Sequence, residues 1–281
     1  MDTVAAIQTF LEAGRGKGLS PHTLRFYRDC LGKLARAHAD LPREPSLLRA
    51  FLGGLQCSNV RRHGYFRAMR AFYRFLERDQ ALEDNPLARV EAPKVRRKVP
   101  RTLELSELIW LLAAARSDMD KALLTLLVDT GVRIGEVAGL RPDDLGRDTL
   151  FVSGKSGERE VPYSEETRRL LEKIVSHGVV FYGRRGPLTI QGLSKLVRHC
   201  FRRAGLVGKR SSPHTLRHSF ARHYIAAGGD AFSLQKILGH RDMATVRLYV
   251  ELWGHDLIKA HSRYTPLRQL VGAAQMRLEE M

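Results

Sequence analysis

Residues 92–101 divide this chain of 281 residues into two parts. The segment reads APKVRRKVPR and combines two prolines with five basic side chains, without any apolar periodicity. Proline holds the preceding residue in an extended conformation, and a packed helix needs regularly spaced apolar residues. The segment is therefore predicted to be an extended, charged linker between a domain at 1–91 and a larger domain at 102–281. The chain is long enough for each domain to bury a core.

The first domain is predicted to be helical. Ser20 is a good helix-capping residue, and Pro21 follows it at the first helical position. The apolar residues that come next recur every three or four positions, as they do on the buried face of a helix. The same periodicity predicts further helices at 3–13, 45–53 and 59–78.

The predicted helix at 59–78 is densely basic. Its apolar residues form a stripe, and arginines occupy much of the remaining surface with few acidic residues to balance them. The arginines are either a solvated surface around a core stripe or a surface that lies along the backbone and groove of DNA, and we favour DNA contact. Together with basic residues of the linker they form the predicted DNA-binding set: Arg61, Arg62, Arg67, Arg70, Arg74, Arg96, Arg97 and Lys98.

The second domain is predicted to be mostly helical with a small sheet. Two strands are predicted at 149–153 and 159–162, joined by a glycine-rich turn. Ser106 is predicted to cap the first helix, and Gly131 is predicted to end the second. The predicted helices are 107–116, 119–130, 164–176, 190–204, 213–227, 232–238, 242–250 and 265–279. The fold class is therefore predicted to be mainly α.

The charge of the chain points to nucleic acid as its partner. Lys and Arg number 47 against 30 Asp and Glu, and the formal charge of +17 is spread over both parts of the chain, as binding to a polyanion favours. No stretch approaches the roughly 20 apolar residues that span a bilayer, and the N-terminus does not resemble a signal peptide. The three cysteines are odd in number and far apart, which indicates reduced thiols in a cytoplasmic protein. They are Cys30, Cys57 and Cys200.

Six polar residues of the second domain are suited to phosphodiester chemistry. They are Arg133, Lys155, His214, Arg217, His240 and Tyr249. Arginine presents a planar fork to phosphate oxygens, and histidine can donate a hydrogen bond to them. Lysine can protonate a leaving alkoxide because its pKa is tunable, and tyrosine can attack phosphorus. This combination suits the breaking and rejoining of a DNA strand without a metal ion.

Each of these residues also has an ordinary structural interpretation. An arginine three residues before Glu136 is consistent with an ion pair at a helix start. His214 and Arg217 lie on one face near a helix N-terminus, where phosphate is favoured, but a pair with this spacing is a weak motif. A lysine in a turn is more often solvated, and a tyrosine on a helix is more often packed. The ordered set is a stronger signal than any of its members.

The ordered set resembles that of the tyrosine recombinases, the phage-integrase and Xer-type family. Their pattern is an arginine in T-G-x-R-x-x-E, a hairpin lysine, HxxR, a histidine in LGH and a tyrosine nine residues later. The matching segments here are TGVRIGEVAGL, SGKSGEREVP, SPHTLRHSFARH and LGHRDMATVRLY. The resemblance extends over essentially the whole chain.

The resemblance implies a role for each residue. Arg133 and Arg217 would clamp the scissile phosphate. Lys155 would be the general acid, and Tyr249 would be the nucleophile that forms a 3′-phosphotyrosine. His214 and His240 would donate hydrogen bonds to the phosphate and assist proton transfer. Glu136 would support the first arginine. No metal ion, ATP or other cofactor is expected.

The resemblance also implies the fold and the assembly. It implies an N-terminal SAM-like helical core-binding domain and a catalytic domain of the DNA breaking-rejoining fold. The two domains would form a C-shaped clamp on double-stranded DNA, with four protomers on two recombining sites. The predicted helix at 265–279 fits docking onto its own domain or onto a neighbour equally well.

Three functions remain open on the sequence. We favour a site-specific recombinase for integration and excision or for dimer resolution, with a slight preference for a mobile element. The alternatives are a type IB topoisomerase and a DNA-binding regulator without catalytic activity. No catalytic position is replaced, which disfavours the regulator.

Overall fold

The computed structural model describes residues 1–95, 99–154, 157–175, 178–206, 208, 211–239, 243–253, 261 and 265. The chain forms two compact units, Met1–Lys98 and Val99–Met281, and the division falls within the segment predicted as a linker. Several predictions fall outside the described residues: those on Arg96, Arg97, Lys98, Lys155, His240 and most of the helix at 265–279.

The described residues of the first unit form four α-helices and one turn of 3₁₀-helix. They are α1 (Thr3–Gly16), α2 (Pro21–Ala37), α3 (Pro45–Gly54), α4 (Asn59–Arg78) and the 3₁₀ turn Pro86–Arg89. The hydroxyl of Ser20 accepts the backbone N–H of Thr23, so α2 begins at the predicted cap. The core lies among α1, α2 and α4, where the rings of Phe10 and Phe72 meet at 5.6 Å between centroids.

In its described residues, the second unit is mostly helical and contains two small antiparallel ladders, with a turn of 3₁₀-helix at Pro142–Asp144. Its elements are α5 (Leu105–Ala113), α6 (Asp118–Thr130), α7 (Ile134–Val137), β1 (Thr149–Gly154), β2 (Gly157–Pro162), α8 (Glu165–Glu172), β3 (Tyr182–Gly183), β4 (Gly186–Pro187), α9 (Ile190–Arg203), α10 (Pro213–Ala226), α11 (Ala231–Leu238) and α12 (Met243–Trp253). β1 pairs with β2, with Gly154 opposite Gly157. The prediction of a mainly α fold is confirmed.

Two apolar clusters stabilise the part of the second unit that the structure describes. The larger one surrounds α6 and takes in the inner face of the hairpin, where Leu150, Val152 and Val161 are buried. The smaller one joins α10, α11 and α12, and includes Leu234, Val246 and other apolar side chains. Burial of a side chain of this size contributes about 2 kcal/mol. The smaller cluster therefore holds together α10, which carries His214 and Arg217, and α12, which carries Tyr249.

Some predicted boundaries are wrong for identifiable reasons. Ser106 does not cap α5, because the helix begins at Leu105, two residues before the predicted start. At that start the carboxylate of Glu107 accepts the backbone N–H of Glu104 at 2.9 Å. The helix predicted at 164–176 ends at Glu172. The single turn of α7 and the two-residue strands β3 and β4 were not predicted, since elements this short carry no periodicity.

Two smaller observations concern the cysteines and the lengths of the helices. All three cysteines are free thiols, with Cys200 buried and the other two half-buried. Within the described part of the chain, no helix is both long and apolar enough to cross a membrane.

Candidate active site

Arg133 is placed by a tight turn at the end of α6. Gly131 has a left-handed backbone (φ +62°), and a Cβ there would lie 2.5 Å from the ring of Phe220, so the position requires glycine. The chain then enters α7 directly after Arg133. The carboxylate of Glu136 accepts the backbone N–H of Arg133 at 2.8 Å and its Nη1 at 2.9 Å. Glu136 thus fixes both the backbone and the guanidinium of Arg133.

A second arginine, Arg159 of β2, binds the same carboxylate. Its two Nη atoms donate to the two oxygens of Glu136 at 2.8 and 3.0 Å, which is the bidentate geometry that suits a guanidinium best. The side chains of Arg159 and Glu136 are 12% and 2% exposed, so the ion pair has little contact with water. Burial by itself raises the pKa of the carboxyl, but the hydrogen bonds from Arg159 and Arg133 outweigh it and hold the pKa of Glu136 below its usual value. Glu136 is therefore ionised.

Arg217 of α10 is held by backbone carbonyl groups. Its Nη1 donates to the oxygen of Gly131 at 2.7 Å and its Nη2 to that of Leu238 at 2.6 Å. Burial, followed by the charge of Arg133, lowers the pKa of Arg217 to about 10. The group still carries its proton at neutral pH. It remains a fixed positive charge inside the unit.

The C-terminal end of α11 binds all three arginines. The last carbonyls of a helix have no partner within the helix and carry its negative dipole. Here Ile237 accepts from Arg159 at 2.8 Å, Leu238 from Arg217, and Gly239 from Arg133 at 3.1 Å. Three successive carbonyls therefore gather three guanidinium groups around one carboxylate, which leaves the cluster with a net positive charge.

Two glycines permit this close approach. Gly239 ends α11 with a left-handed backbone (φ +63°), and a Cβ there would lie 2.9 Å from the guanidinium of Arg159. A Cβ on Gly154, the last residue of β1, would lie 3.0 Å from Cγ of Glu136. The residues that follow these glycines in the sequence, His240 and Lys155, lie outside the described residues.

Tyr249 lies on α12 with its ring buried among apolar residues of α10 and α11. It is 1% exposed, and its hydroxyl is 2.6 Å from Nδ1 of His218. Burial raises the pKa of Tyr249, while the charge of Arg217 acts in the opposite direction. The arrangement joins a buried tyrosine, a half-buried histidine and a buried arginine.

His214 lies in the first turn of α10 and is exposed. The helix begins at Pro213, as predicted, because the hydroxyl of Ser212 accepts the backbone N–H of Thr215 at 3.2 Å. His214, Arg217 and His218 are spaced by three and four residues, so they share one face of the helix.

The predicted DNA-binding arginines of α4 do not form one surface. Arg67, Arg70 and Arg74 are exposed on successive turns of one face. Arg61 instead lines a groove of about 780 Å³ beside α2. Arg62 is half-buried and donates to the carbonyl of Leu55 at 2.9 Å and to the side chain of Asn59 at 2.8 Å, so much of its donor capacity is used within the unit. Basic side chains of α2 share the groove with Arg61: Arg28, Lys33 and Arg36.

Sequence reasoning missed Arg159 and His218. Nothing local distinguishes Arg159 from a solvated strand residue, because its partner Glu136 lies 23 positions earlier and is brought close only by the fold. His218 did carry a signal, since it stands four residues after His214 and next to Arg217 on the same helical face. Among the described residues, no group of three or more His, Cys, Asp or Glu side chains could hold a metal ion.

Replacement of Arg159 should separate stability from activity. Arg159→Ala leaves a buried carboxylate with one partner fewer, so we expect the free energy of unfolding to fall by about 3 kcal/mol. Arg203→Ala is a matched control, since Arg203 pairs with buried Asp120 and donates Nε to the Ala114 carbonyl at the end of α5. Thermal and denaturant unfolding should show similar losses for both variants. DNA strand cleavage by the folded protein should fall only for Arg159→Ala; equal cleavage by both variants would make Arg159 a purely structural residue.

Comparison with known proteins identifies the family. Residues 101–254 match the phage integrase family. The chain is 32% identical to the tyrosine recombinase XerD of Yersinia pestis, over 92% of this chain and 97% of that protein. It is 34% identical to the tyrosine recombinase XerC of Pseudomonas aeruginosa, over 96% and 97% of the two chains.

Two solved structures share the fold of this chain. A lambda integrase (75–356) dimer bound to a COC′ core site has a TM-score of 0.74 at 20% identity, covering 87% of this chain and 97% of that one. The XerH recombinase in its post-cleavage complex with difH has a TM-score of 0.70 at 22% identity, covering 88% and 81%. These similarities establish the fold.

The fold and the sequence relatives together define an enzyme that transfers DNA strands. The chain belongs to the tyrosine recombinase family. The prediction of a site-specific recombinase is confirmed, and neither the topoisomerase nor the silent regulator is favoured.

Proposed function

We propose that this chain cleaves and rejoins DNA at a specific site through a 3′-phosphotyrosine formed by Tyr249. Arg133 and Arg217 bind the scissile phosphate and stabilise the negative charge of the transition state. Lys155 protonates the 5′-oxygen as it leaves. The energy of the phosphodiester is stored in the covalent link, so the cycle needs no ATP and, with guanidinium groups in place of a metal ion, no metal. His214 and His240 complete the set as hydrogen-bond donors to the phosphate.

One observation carries this proposal: three guanidinium groups are held on the last carbonyls of α11 with a single carboxylate among them. Donors fixed before the substrate arrives cost no reorganisation during the reaction, and they act strongly where water is excluded. Arg133 keeps 30% of its side chain exposed, so part of its guanidinium can reach a bound phosphate. Tyr249 lies close by, because its hydroxyl is 2.6 Å from Nδ1 of His218, the residue directly after Arg217.

The placement of Gly154 and Gly239 supports the two catalytic residues that follow them. Gly154 lies against Glu136, and Gly239 accepts a hydrogen bond from Arg133. Both glycines therefore lie at the arginine cluster, and Lys155 and His240 follow them in the sequence. Lys155 and His240 are therefore assigned as general acid and phosphate-binding histidine.

The two units are assigned as two DNA-binding domains. Residues 1–91 form the core-binding domain, 92–101 the basic linker and 102–281 the catalytic domain. The structural neighbours include a lambda integrase tetramer bound to a Holliday junction. We extend this to the present chain as a tetramer on two double-stranded DNA sites, acting in the cytoplasm.

The test is the covalent intermediate. A binding sequence is first selected from a random DNA pool, and a duplex with a nick near the cleavage position is then built from it. Loss of the short fragment traps the enzyme on the DNA, so a denaturing gel should show a protein–DNA adduct. Relaxation of a plasmid that lacks the selected sequence would instead favour a topoisomerase, and binding without an adduct would favour a silent regulator.

The arginines of α4 should set part of the salt dependence of DNA binding. Each phosphate contact contributes about −0.9 to the slope of log affinity against log salt concentration. Arg67→Gln/Arg70→Gln should therefore flatten the slope by about 1.8. Arg15→Gln/Arg43→Gln removes the same charge from exposed residues elsewhere in the unit and should change it little. Equal slopes for the two double variants would mean that this face of α4 is only solvated.

A further inference from the structure

The hydroxyl of Tyr249 meets a histidine outside the predicted catalytic set. Nδ1 of His218 lies 2.6 Å from the tyrosine oxygen, and the two ring centroids are 6.0 Å apart. His214, one turn closer to the start of α10, is exposed. Among the described residues, the histidine in contact with Tyr249 is therefore the one directly after Arg217.

The surroundings of His218 favour its neutral form. Burial is the main cause that lowers the pKa of His218, and the nearby His214 and Arg217 act in the same direction. A neutral imidazole with its proton on Nε2 has a free lone pair on Nδ1. That lone pair faces the hydroxyl of Tyr249 and can accept its hydrogen.

Tyr249 needs such an acceptor. Burial raises the pKa of the phenol further above neutral pH, so the phenol is protonated before reaction. A phenol is a weak nucleophile unless a base removes its proton as it attacks. The positive charge of Arg217 favours the phenolate that forms.

We propose that His218 is the general base that activates Tyr249; this rests on the proposed role of Tyr249 as nucleophile. In cleavage the proton passes from the phenol oxygen to Nδ1 of His218 while that oxygen bonds to phosphorus. The bond from phosphorus to the 5′-oxygen breaks, and the leaving oxygen takes a proton from Lys155. In rejoining, the 5′-hydroxyl gives its proton to the neutral Lys155 as its oxygen bonds to phosphorus. The bond from phosphorus to the tyrosine oxygen breaks, and His218 returns its proton to that oxygen.

The decisive variants are His218→Ala and His218→Asn, studied in the full-length protein on the nicked duplex. General-base catalysis is worth about 100- to 10,000-fold, so single-turnover cleavage by His218→Ala should slow by a factor in this range while DNA affinity stays the same. Added imidazole should restore part of the rate, because a free base can enter the space left by the side chain. The amide of His218→Asn can keep a hydrogen bond to the hydroxyl but cannot take its proton, so this variant should be as slow as His218→Ala.

The control is His223→Ala, on the same helix. His223 is also half-buried, and its Nε2 contacts the Leu103 carbonyl at 2.9 Å, away from Tyr249. Its cleavage rate should match that of the unaltered enzyme. A cleavage rate equal to the wild-type rate in His218→Asn would show that His218 only positions Tyr249. Faster cleavage by His218→Ala would show that His218 holds Tyr249 in an unreactive state. Either result overturns the proposal.

The outcome for Tyr249→Phe separates this inference from the proposed function. If Tyr249→Phe abolishes the adduct while His218→Ala cleaves normally, only the role of His218 is wrong. If Tyr249→Phe still forms the adduct, the nucleophile has been misassigned and the proposed function fails in that part. Should His218→Ala fold poorly, His218→Asn decides the question, because it retains a polar group of similar size.

Discussion

Tyr249→Phe is expected to abolish the covalent protein–DNA adduct while leaving DNA binding intact. The substitution removes only the hydroxyl, and the ring still fills the apolar cluster of α10, α11 and α12. The lost hydrogen bond to His218 should cost about 1 kcal/mol of folding free energy. The adduct is measured on a denaturing gel with the nicked duplex, and binding is measured by titration at fixed salt.

Tyr224→Phe provides the matched control for this loss. Tyr224 packs against the same cluster, and its hydroxyl donates to Ser233 at 2.9 Å. The variant also loses a hydroxyl and a hydrogen bond, yet it should form the adduct normally. An adduct retained in Tyr249→Phe would contradict the assignment and direct attention to Tyr264, which lies outside the described residues.

The helices of this chain could be predicted because capping residues next to each end in the sequence determine where they begin and end. Ser20 and Ser212 accept backbone N–H groups at the starts of α2 and α10, and Gly131 ends α6 with a left-handed backbone. Such signals need no tertiary context. Ser106 is the instructive failure, since Glu104 and Glu107 offer a competing helix start two residues earlier.

The candidate site was only partly predictable. Arg133, Arg217 and Tyr249 could be named from their order in the sequence, but the way they are held could not. The carbonyls that bind the arginines belong to an unremarkable sequence at the end of α11, and every residue type supplies a carbonyl. The pairing of Arg159 with Glu136 likewise depends on how the hairpin packs against α7.

The difference between the two missed residues is physical. His218 lies on the helical face of His214 and Arg217, so its place in the site could be predicted from the spacing of residues on a helix. The place of Arg159 in the site could not be predicted from neighbouring residues, because a strand residue can face either solvent or protein. The fold was therefore easier to predict than the support of the site, which depends on contacts far apart in sequence.

Lys155→Ala is expected to cleave DNA about 100- to 10,000-fold more slowly, the usual contribution of a general acid. The 5′-alkoxide is a poor leaving group without a proton. DNA affinity should change little, because Lys155 donates a proton to the leaving oxygen, whereas Arg133 and Arg217 bind the phosphate. The rate is measured in a single turnover on the nicked duplex, with Lys121→Ala, an exposed lysine of α6, as the control.

A sulfur atom in place of the bridging 5′-oxygen gives the sharper test. A thiol has a pKa of roughly 8.5, far below that of an alcohol, so a thiolate leaves without being protonated. The sulfur substrate should therefore restore cleavage by Lys155→Ala to nearly the rate of the unaltered enzyme. His218→Ala should gain no such relief, because its defect lies in forming the nucleophile and not in expelling the leaving group. Failure of rescue in Lys155→Ala, with binding intact, would show that Lys155 is not the general acid.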